Sequence, residues 1–83
     1  MNDIKESIRN FILSKYLPGE SAANLRDNAA LQTSGILDSL AVLGLASFIE
    51  KKFNIELNAA DVGVENFDCI KDIASLVARK QAR

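Results

Sequence analysis

One serine stands where its hydroxyl could carry a covalent group. Ser39 follows Asp38 at the point where a polar segment gives way to the apolar stretch LAVLGLASFIEKKF. Because Asp is a favoured residue immediately before a helix, this step predicts a helix that begins near Ser39. The amino end of a helix presents unpaired N–H groups and the positive end of the helix dipole, which favour a bound phosphate. The alternative is that Ser39 only helps to cap the helix, an ordinary role for serine.

The rest of the chain lacks the side chains on which most enzymes depend. It has no histidine and a single cysteine, Cys69, which removes Ser-His and Cys-His nucleophile pairs and the usual imidazole metal ligands. No Cys-x-x-Cys pair occurs, and the carboxylates do not have the spacing of a metal-binding loop. The sequence therefore predicts no catalytic residue and no metal site, with an enzyme as the alternative.

Length and charge favour a single small domain. The 83 residues are 48% hydrophobic, so residues 1–83 are expected to fold as one unit. Ten basic and eleven acidic residues nearly balance, whereas nucleic-acid binding needs clustered cations. The sequence has no secretory signal and no long apolar run. We therefore expect a cytoplasmic monomer that binds neither nucleic acid nor membrane.

The spacing of apolar residues predicts three main helices. The first ends at Leu17-Pro18-Gly19, the second runs from about Ser39 to Phe53, and the third follows Asp68, its expected cap. Phe67, just before that cap, is expected to anchor the core. The apolar stripes of the three helices are Ile4, Ile8, Phe11, Ile12 and Tyr16, then Val42, Leu45, Ala46, Ile49 and Phe53, then Ile70, Ile73, Ala74 and Val77.

Two connecting segments complete the expected fold. Residues 18–38 lack a sustained period, which predicts a long loop. Four apolar residues are expected to pin this loop to the core: Leu25, Leu31, Ile36 and Leu37. Asn58 with Asp61 predicts a short helical turn that ends near Gly63. The expected fold is all-α, a small antiparallel four-helix bundle with three main helices, one short helix and a long loop between the first and second.

The second helix has more apolar surface than a small core needs. Leu40, Leu43 and Phe48 cannot all share the core stripe, so part of this set is expected on the opposite side. An apolar second face is commonly a partner surface. The alternative is that the long loop folds over part of it. Gly44, in the middle of the helix, indicates either close packing against its backbone or a bare surface that a partner needs.

Four stretches match those of one known family in order and spacing. They are SGILDSL at 34–40, FIEKKFNIEL at 48–57, AADV at 59–62 and ENFDCIKDIASLV at 65–77. The chain thereby resembles the acyl carrier protein family, including its peptidyl and aminoacyl carrier relatives. The first stretch contains the family's Asp-Ser-Leu attachment motif at Asp38, Ser39 and Leu40. The resemblance covers nearly the whole chain.

The resemblance implies a carrier with no catalytic activity of its own. Ser39 would hold 4′-phosphopantetheine as a phosphodiester, taken from coenzyme A and installed by a phosphopantetheinyl transferase. Asp38 would help to present Ser39 to that enzyme. The terminal thiol of the arm would hold acyl or aminoacyl groups as thioesters, so the reactive sulfur would belong to the prosthetic group and not to the chain.

The resemblance also implies docking of partner enzymes on the second helix. The residues offered there to a loading enzyme and a downstream synthase or transferase are Leu40, Leu43, Phe48 and Glu50. Fatty-acid-synthesis members usually carry several acids on this helix, but Glu50 is the only one here. We expect a polyketide, specialised-lipid or fatty-acid pathway, with an aminoacyl or peptidyl carrier of a nonribosomal-peptide-like system as the alternative. Outside the family, the alternative is a cofactor-free helical interaction domain.

Overall fold

Four helices form the fold in the computed structural model, which describes residues 2–21 and 25–82. They are α1 (Asn2–Lys15), α2 (Ser39–Phe53), α3 (Val64–Phe67) and α4 (Ile70–Gln81). The described residues contain no strand, so the all-α prediction is confirmed for this part of the chain. The three main helices occur where the sequence predicts them, and α2 has the predicted bounds.

One apolar core joins the helices. Helix α4 packs against the other three, and α1 also packs against α2. The largest fully buried side chains, which include the predicted anchor, are Phe67, Ile8, Ile12, Leu25, Leu31, Leu45, Ile49, Ile70, Ile73 and Val77. Because isolated helices of this length are marginal in water, burial of these side chains, more than helix propensity, stabilises the fold.

The three aromatic residues of the predicted stripes lie at the edge of the core. Phe11, Tyr16 and Phe53 are only partly buried. Phe11 stacks on Phe48 of α2, with ring centroids 4.2 Å apart, and makes an edge contact with Tyr16 at 5.8 Å. Phe11 and Phe53 therefore face the core, as the predicted stripes require, but they cover its rim and do not fill its centre.

Three of the four predicted residues pin the long connection to the core. The predicted loop spans residues 18–38, of which 22–24 lie outside the described residues, and the described part contains no helix or strand. Leu25, Leu31 and Leu37 are buried, but Ile36 is 37% exposed, so the prediction for Ile36 is wrong. The Leu37 N–H donates to the Leu31 carbonyl at 2.9 Å, which closes a turn that leaves Ile36 on its outer side.

Ion pairs tie the same connection to α1. The Lys5 Nζ lies 3.1 Å from the Asp27 carboxylate, and Arg9 also pairs with Asp27. The Arg9 Nε donates to the Leu25 carbonyl at 2.9 Å. The Lys5 hydrogen bond, with the positive charges of Lys5 and Arg9, holds the pKa of Asp27 below its usual range. Leu25 is thus held beside α1 by the hydrogen bond to its carbonyl and by the ion pairs of Asp27.

Asp68, the predicted cap of α4, anchors the long connection instead. Its Oδ1 accepts from the N–H groups of Gln32 at 2.7 Å and Thr33 at 3.0 Å, and its Oδ2 accepts from the Thr33 hydroxyl at 2.9 Å. Cys69 occupies the N-cap position without a side-chain hydrogen bond. The prediction was wrong because irregular backbone leaves N–H groups that need acceptors, and Asp68 supplies one from a distant part of the chain.

This anchor predicts a loss of stability in acid. Hydrogen bonds from the Thr33 N–H, the Thr33 hydroxyl and the Gln32 N–H hold the pKa of Asp68 below its usual range, against the opposing effect of burial. A carboxyl group with a lowered folded-state pKa stabilises the fold above its unfolded pKa of about 3.9, and the contribution is lost as pH falls through the folded pKa. The free energy of unfolding, measured in urea, should therefore fall below about pH 4.

Replacing the anchor separates its contribution from that of other acids. Asp68→Asn should be less stable than wild type at neutral pH, because it lacks the carboxylate. It should also lose less stability on acidification, because only the contribution of Asp27 is still lost as the pH falls. Glu65→Gln, which removes an exposed acid from α3, is the matched control and should keep the wild-type pH profile. A profile for Asp68→Asn that runs parallel to wild type would show that the carboxylate is not an anchor.

The segment between α2 and α3 contains the predicted polar pair and a hydrogen-bonded turn, in which the Asp61 N–H donates to the Asn58 carbonyl at 3.0 Å, but the short helix itself follows this turn. Asn58 and Asp61 exchange hydrogen bonds, from each N–H to the other's side chain, at 3.0 and 2.9 Å. Asp61 also pairs with Lys80 of α4 at 2.8 Å. The short helix begins after Gly63 instead of ending near it, and the Phe67 N–H donates to the Gly63 carbonyl at 2.9 Å. The ion pair between Asp61 and Lys80 of α4, which local pattern does not reveal, helps to fix the position of this segment.

Candidate functional site

Ser39 is the first residue of α2 and is exposed. Asp38 precedes it in an extended conformation, and its Oδ1 accepts from the Ala41 N–H at 2.8 Å. The Asp38 carbonyl accepts from the Val42 N–H at 2.9 Å. Asp38 is therefore the cap of α2, as predicted, and the Ser39 hydroxyl is not needed for that role.

The start of α2 fits a negatively charged group on Ser39. The N–H groups of Ser39 and Leu40 lie too near the start of the helix to find an acceptor carbonyl within it. Both therefore point out of its amino end. No acidic residue lies in the first turn, and the helix dipole places partial positive charge there. A phosphodiester on the Ser39 oxygen would lie beside these N–H groups, where its charge is stabilised.

Leu40 and Leu43 form the exposed apolar surface of α2. They are 78% and 58% exposed, and residues three apart in a helix are neighbours on its surface. The alternative that the long loop covers them is excluded by their exposure. Both leucines lie within the first five residues of α2 and so border the attachment site.

The other two predicted docking residues lie elsewhere on α2. Phe48 is partly buried against the core, where it stacks on Phe11. Glu50 is partly buried, and its Oε2 accepts from the Leu57 N–H at 2.9 Å. The structure thus places Leu40 and Leu43 together and Phe48 against α1. Glu50 lies against the segment that follows α2, where it lines the same groove as Leu43.

Two grooves border this leucine surface. The first, the Tyr16 groove, has a volume of about 420 Å³ and is lined by Tyr16, Gly35, Ile36, Asp38, Leu40 and Ala41. The second, the Leu57 groove, has a volume of about 510 Å³ and lies between α2 and the segment after it. Its apolar lining includes Leu43, Leu57 and Val62. The two grooves therefore lie beside different parts of α2.

Tyr16 and Ile36 are site-lining residues that the sequence did not identify as such. The Tyr16 hydroxyl lies over Gly44, so close that a methyl group at that position would collide with it. Gly44 was the available signal, because a glycine in mid-helix predicted either close packing or a bare surface. Close packing is the correct explanation, and Tyr16 is the group that packs there.

The described residues provide little for metal or nucleophile chemistry. No group of three or more Cys, Asp or Glu side chains in residues 2–21 and 25–82 could hold a metal ion. Cys69 is partly buried, and burial raises the pKa of its thiol, which is the opposite of what a reactive cysteine needs. None of the helices described is long and apolar enough to cross a bilayer.

No protein-family model matches the chain, and a search of curated proteins gives no match. The function is therefore inferred from the exposed serine, the helix end that presents it and the apolar surface beside it.

Proposed function

We propose that this protein is an acyl carrier protein, which holds acyl intermediates as thioesters on a 4′-phosphopantetheine arm attached to Ser39. The observation that carries the proposal is the exposed Ser39 at the first position of α2, with Asp38 as the cap. The resemblance of four stretches to the acyl carrier protein family, with Asp-Ser-Leu in the first of them, supports the same assignment.

The finer architecture belongs to the same proposal. We take the four helices to form an antiparallel bundle of three main helices and one short helix, with the long connection between α1 and α2 packed onto it. Contacts of α4 with the other three helices support this arrangement. In such a bundle the start of α2 lies at one end, where an attached group is free to reach other proteins.

The chain's own residues would attach, orient and present the arm. The Ser39 oxygen is the attachment atom, the amino end of α2 stabilises the charge of the phosphodiester, and Asp38 fixes the geometry of that end. The arm supplies the thiol that holds the cargo. Leu40 and Leu43 offer the surface on which a phosphopantetheinyl transferase, a loading enzyme and a downstream synthase would dock. Polyketide or specialised-lipid synthesis is the pathway class that we propose.

An intact-mass measurement tests the assignment. Incubation with coenzyme A and an active phosphopantetheinyl transferase should add one phosphopantetheinyl group to the wild-type chain. Ser39→Ala should remain folded and gain no mass. Ser47→Ala, which removes another exposed serine of α2, is the matched control and should be modified like wild type. An unmodified wild-type chain would favour the cofactor-free interaction domain, and a modified Ser39→Ala would refute the assignment to Ser39.

Asp38→Ala should slow the modification of Ser39 far more than it lowers the melting temperature. Loss of the hydrogen bond to the Ala41 N–H should reduce the free energy of unfolding by about 1 kcal/mol. The transferase additionally loses the carboxylate next to its target. A time course of intact mass measures the first effect, and thermal denaturation measures the second.

Asp38→Asn separates the cap from the charge. Asn is as good a cap as Asp, so this variant should keep the wild-type melting temperature. We expect it to be modified as slowly as Asp38→Ala because it lacks the carboxylate. If wild type and Asp38→Ala are modified at equal rates, Asp38 acts only as a cap.

A further inference from the structure

Of the two grooves that border the leucine surface, the Tyr16 groove has the lining residues nearest to Ser39 in the chain. Its lining includes Asp38 and Leu40, the residues on either side of the attachment serine. The lining of the Leu57 groove begins at Leu43, about one helical turn further along α2. Resting on the proposed function, we propose that the arm lies in the Tyr16 groove when no partner enzyme holds it, with the Tyr16 hydroxyl donating a hydrogen bond to an amide of the arm.

Two exposed apolar side chains fit the part of the arm nearest the phosphate. Leu40 and Ile36 both line the groove, and both are exposed although each is large and apolar. In phosphopantetheine the carbon next to the phosphate-bearing methylene carries two methyl groups. Packing of these methyl groups on the two side chains removes apolar surface from water on both partners, which is favourable.

The Tyr16 hydroxyl lies further along α2, where the arm's first amide would follow. Gly44, which this hydroxyl overlies, comes after Ser39 by about 7.5 Å of helix at 1.5 Å per residue. Along the arm, an amide carbonyl comes a few bonds after the dimethyl carbon, and a phenolic hydroxyl can donate to it. Along α2, the apolar side chain of Leu40 comes first and the Tyr16 hydroxyl, at Gly44, comes next. The arm has the same order, with its methyl groups first and its amide next.

No competing interaction holds the Tyr16 hydroxyl. Within residues 2–21 and 25–82 it makes no hydrogen bond to the protein, and its ring is restrained by the edge contact with Phe11. A hydrogen bond to the arm therefore breaks none within the described fold. The fixed ring also reduces the conformational freedom that binding would remove.

Backbone chemical shifts of the chain with and without its arm test the proposal. Modification is first verified by intact mass, so failure to add the arm would count against the proposed function and not against the position of the arm. On conversion, the amide signals of Gly35, Ile36 and Tyr16 should shift, together with those around Ser39. Signals of Leu57 and Val62, in the other groove, should not.

Two variants show whether the named side chains hold the arm. Tyr16→Phe removes only the hydroxyl, so the ratio of bound to free arm should fall about threefold, as for loss of one hydrogen bond. Ile36→Ser should also reduce the shifts, while Val64→Ser, at another exposed apolar residue, should not. Each variant is compared with its own unmodified form.

Three results would overturn the proposal, in whole or for the hydroxyl alone, while leaving the carrier function intact. Shifts confined to Ser39 and its sequence neighbours would mean that the arm is free in solvent. Shifts at Leu57 and Val62 would place the arm in the Leu57 groove. Equal shifts in wild type and Tyr16→Phe would show that the Tyr16 hydroxyl does not bind the arm.

Discussion

Phe67→Ala should lower the free energy of unfolding by about 3–5 kcal/mol, and Ile49→Ala should lower it by about 2–5 kcal/mol. Both side chains are fully buried, so truncation removes apolar contacts and leaves a cavity between helices. A domain of this length has a total stability of only about 4–12 kcal/mol, at 0.05–0.15 kcal/mol per residue. Either variant should therefore lose a large share of the total stability, as measured by circular dichroism in a urea titration.

The partly buried aromatic residues provide the control for this prediction. Truncating Phe53 to alanine removes the same atoms as truncating Phe67, but Phe53 lies at the edge of the core. Phe53→Ala should therefore cost only about 1–2 kcal/mol, in proportion to the smaller area that it buries. An equal cost for Phe53→Ala and Phe67→Ala would contradict the ranking of the two sites by burial.

The helices could be predicted because their signals are local. Apolar residues at three- and four-residue steps define α1, α2 and α4, and Asp38 marks the start of α2. At Asp38 the cap and the residue that it caps are three positions apart, so the sequence contains both partners of the hydrogen bond. Local pattern was sufficient wherever an element is fixed by its own residues.

The errors occur where a distant residue decides the outcome. Asp68 is of a residue type that commonly caps helices. Its carboxylate instead accepts hydrogen bonds from the N–H groups of Gln32 and Thr33, more than thirty positions earlier. Ile36 is as apolar as its buried neighbour Leu37, and only the turn closed by the Leu37–Leu31 hydrogen bond leaves it outside. Neither contact leaves a mark in the local pattern.

In the candidate site, too, local features could be predicted from the sequence and contacts between distant residues could not. Ser39 and Asp38 form a local motif, and helical spacing is enough to place Leu40 beside Leu43. Phe48 could not be placed from its own helix, because Phe11 of α1 is what covers it. The position of Tyr16 had one signal in the sequence, the mid-helix glycine, Gly44, that its hydroxyl overlies.

The single acid of α2 is already engaged within the fold. The Glu50 side chain accepts from the Leu57 N–H at 2.9 Å and is partly buried, so it has less to offer a partner than an exposed carboxylate. The two residues that follow, Lys51 and Lys52, are exposed and basic. Apolar contact at Leu40 and Leu43 is therefore the main attraction that α2 can provide.

Truncating these two leucines should weaken docking of the cognate loading enzyme. Fully burying a leucine contributes about 1.5–3 kcal/mol, and about 1.4 kcal/mol corresponds to tenfold in affinity. A transient contact that buries each leucine only in part should supply less than this. Leu40→Ala and Leu43→Ala should therefore each raise the KM of that enzyme several-fold, and the double variant should raise it about tenfold or more. Both side chains are largely exposed in the free protein, so the melting temperature should change little.

A salt series and a matched variant identify the source of the effect. Exposed ion pairs contribute about 0–1 kcal/mol each and weaken as salt screens them, whereas apolar burial depends little on salt. Raising salt from a low to a physiological concentration should therefore leave KM nearly unchanged. Val64→Ala, at an exposed apolar residue of α3, should behave like wild type. A steep salt dependence, with no effect of either leucine, would show that partners recognise charge instead, at Glu50, Glu56 or Asp61.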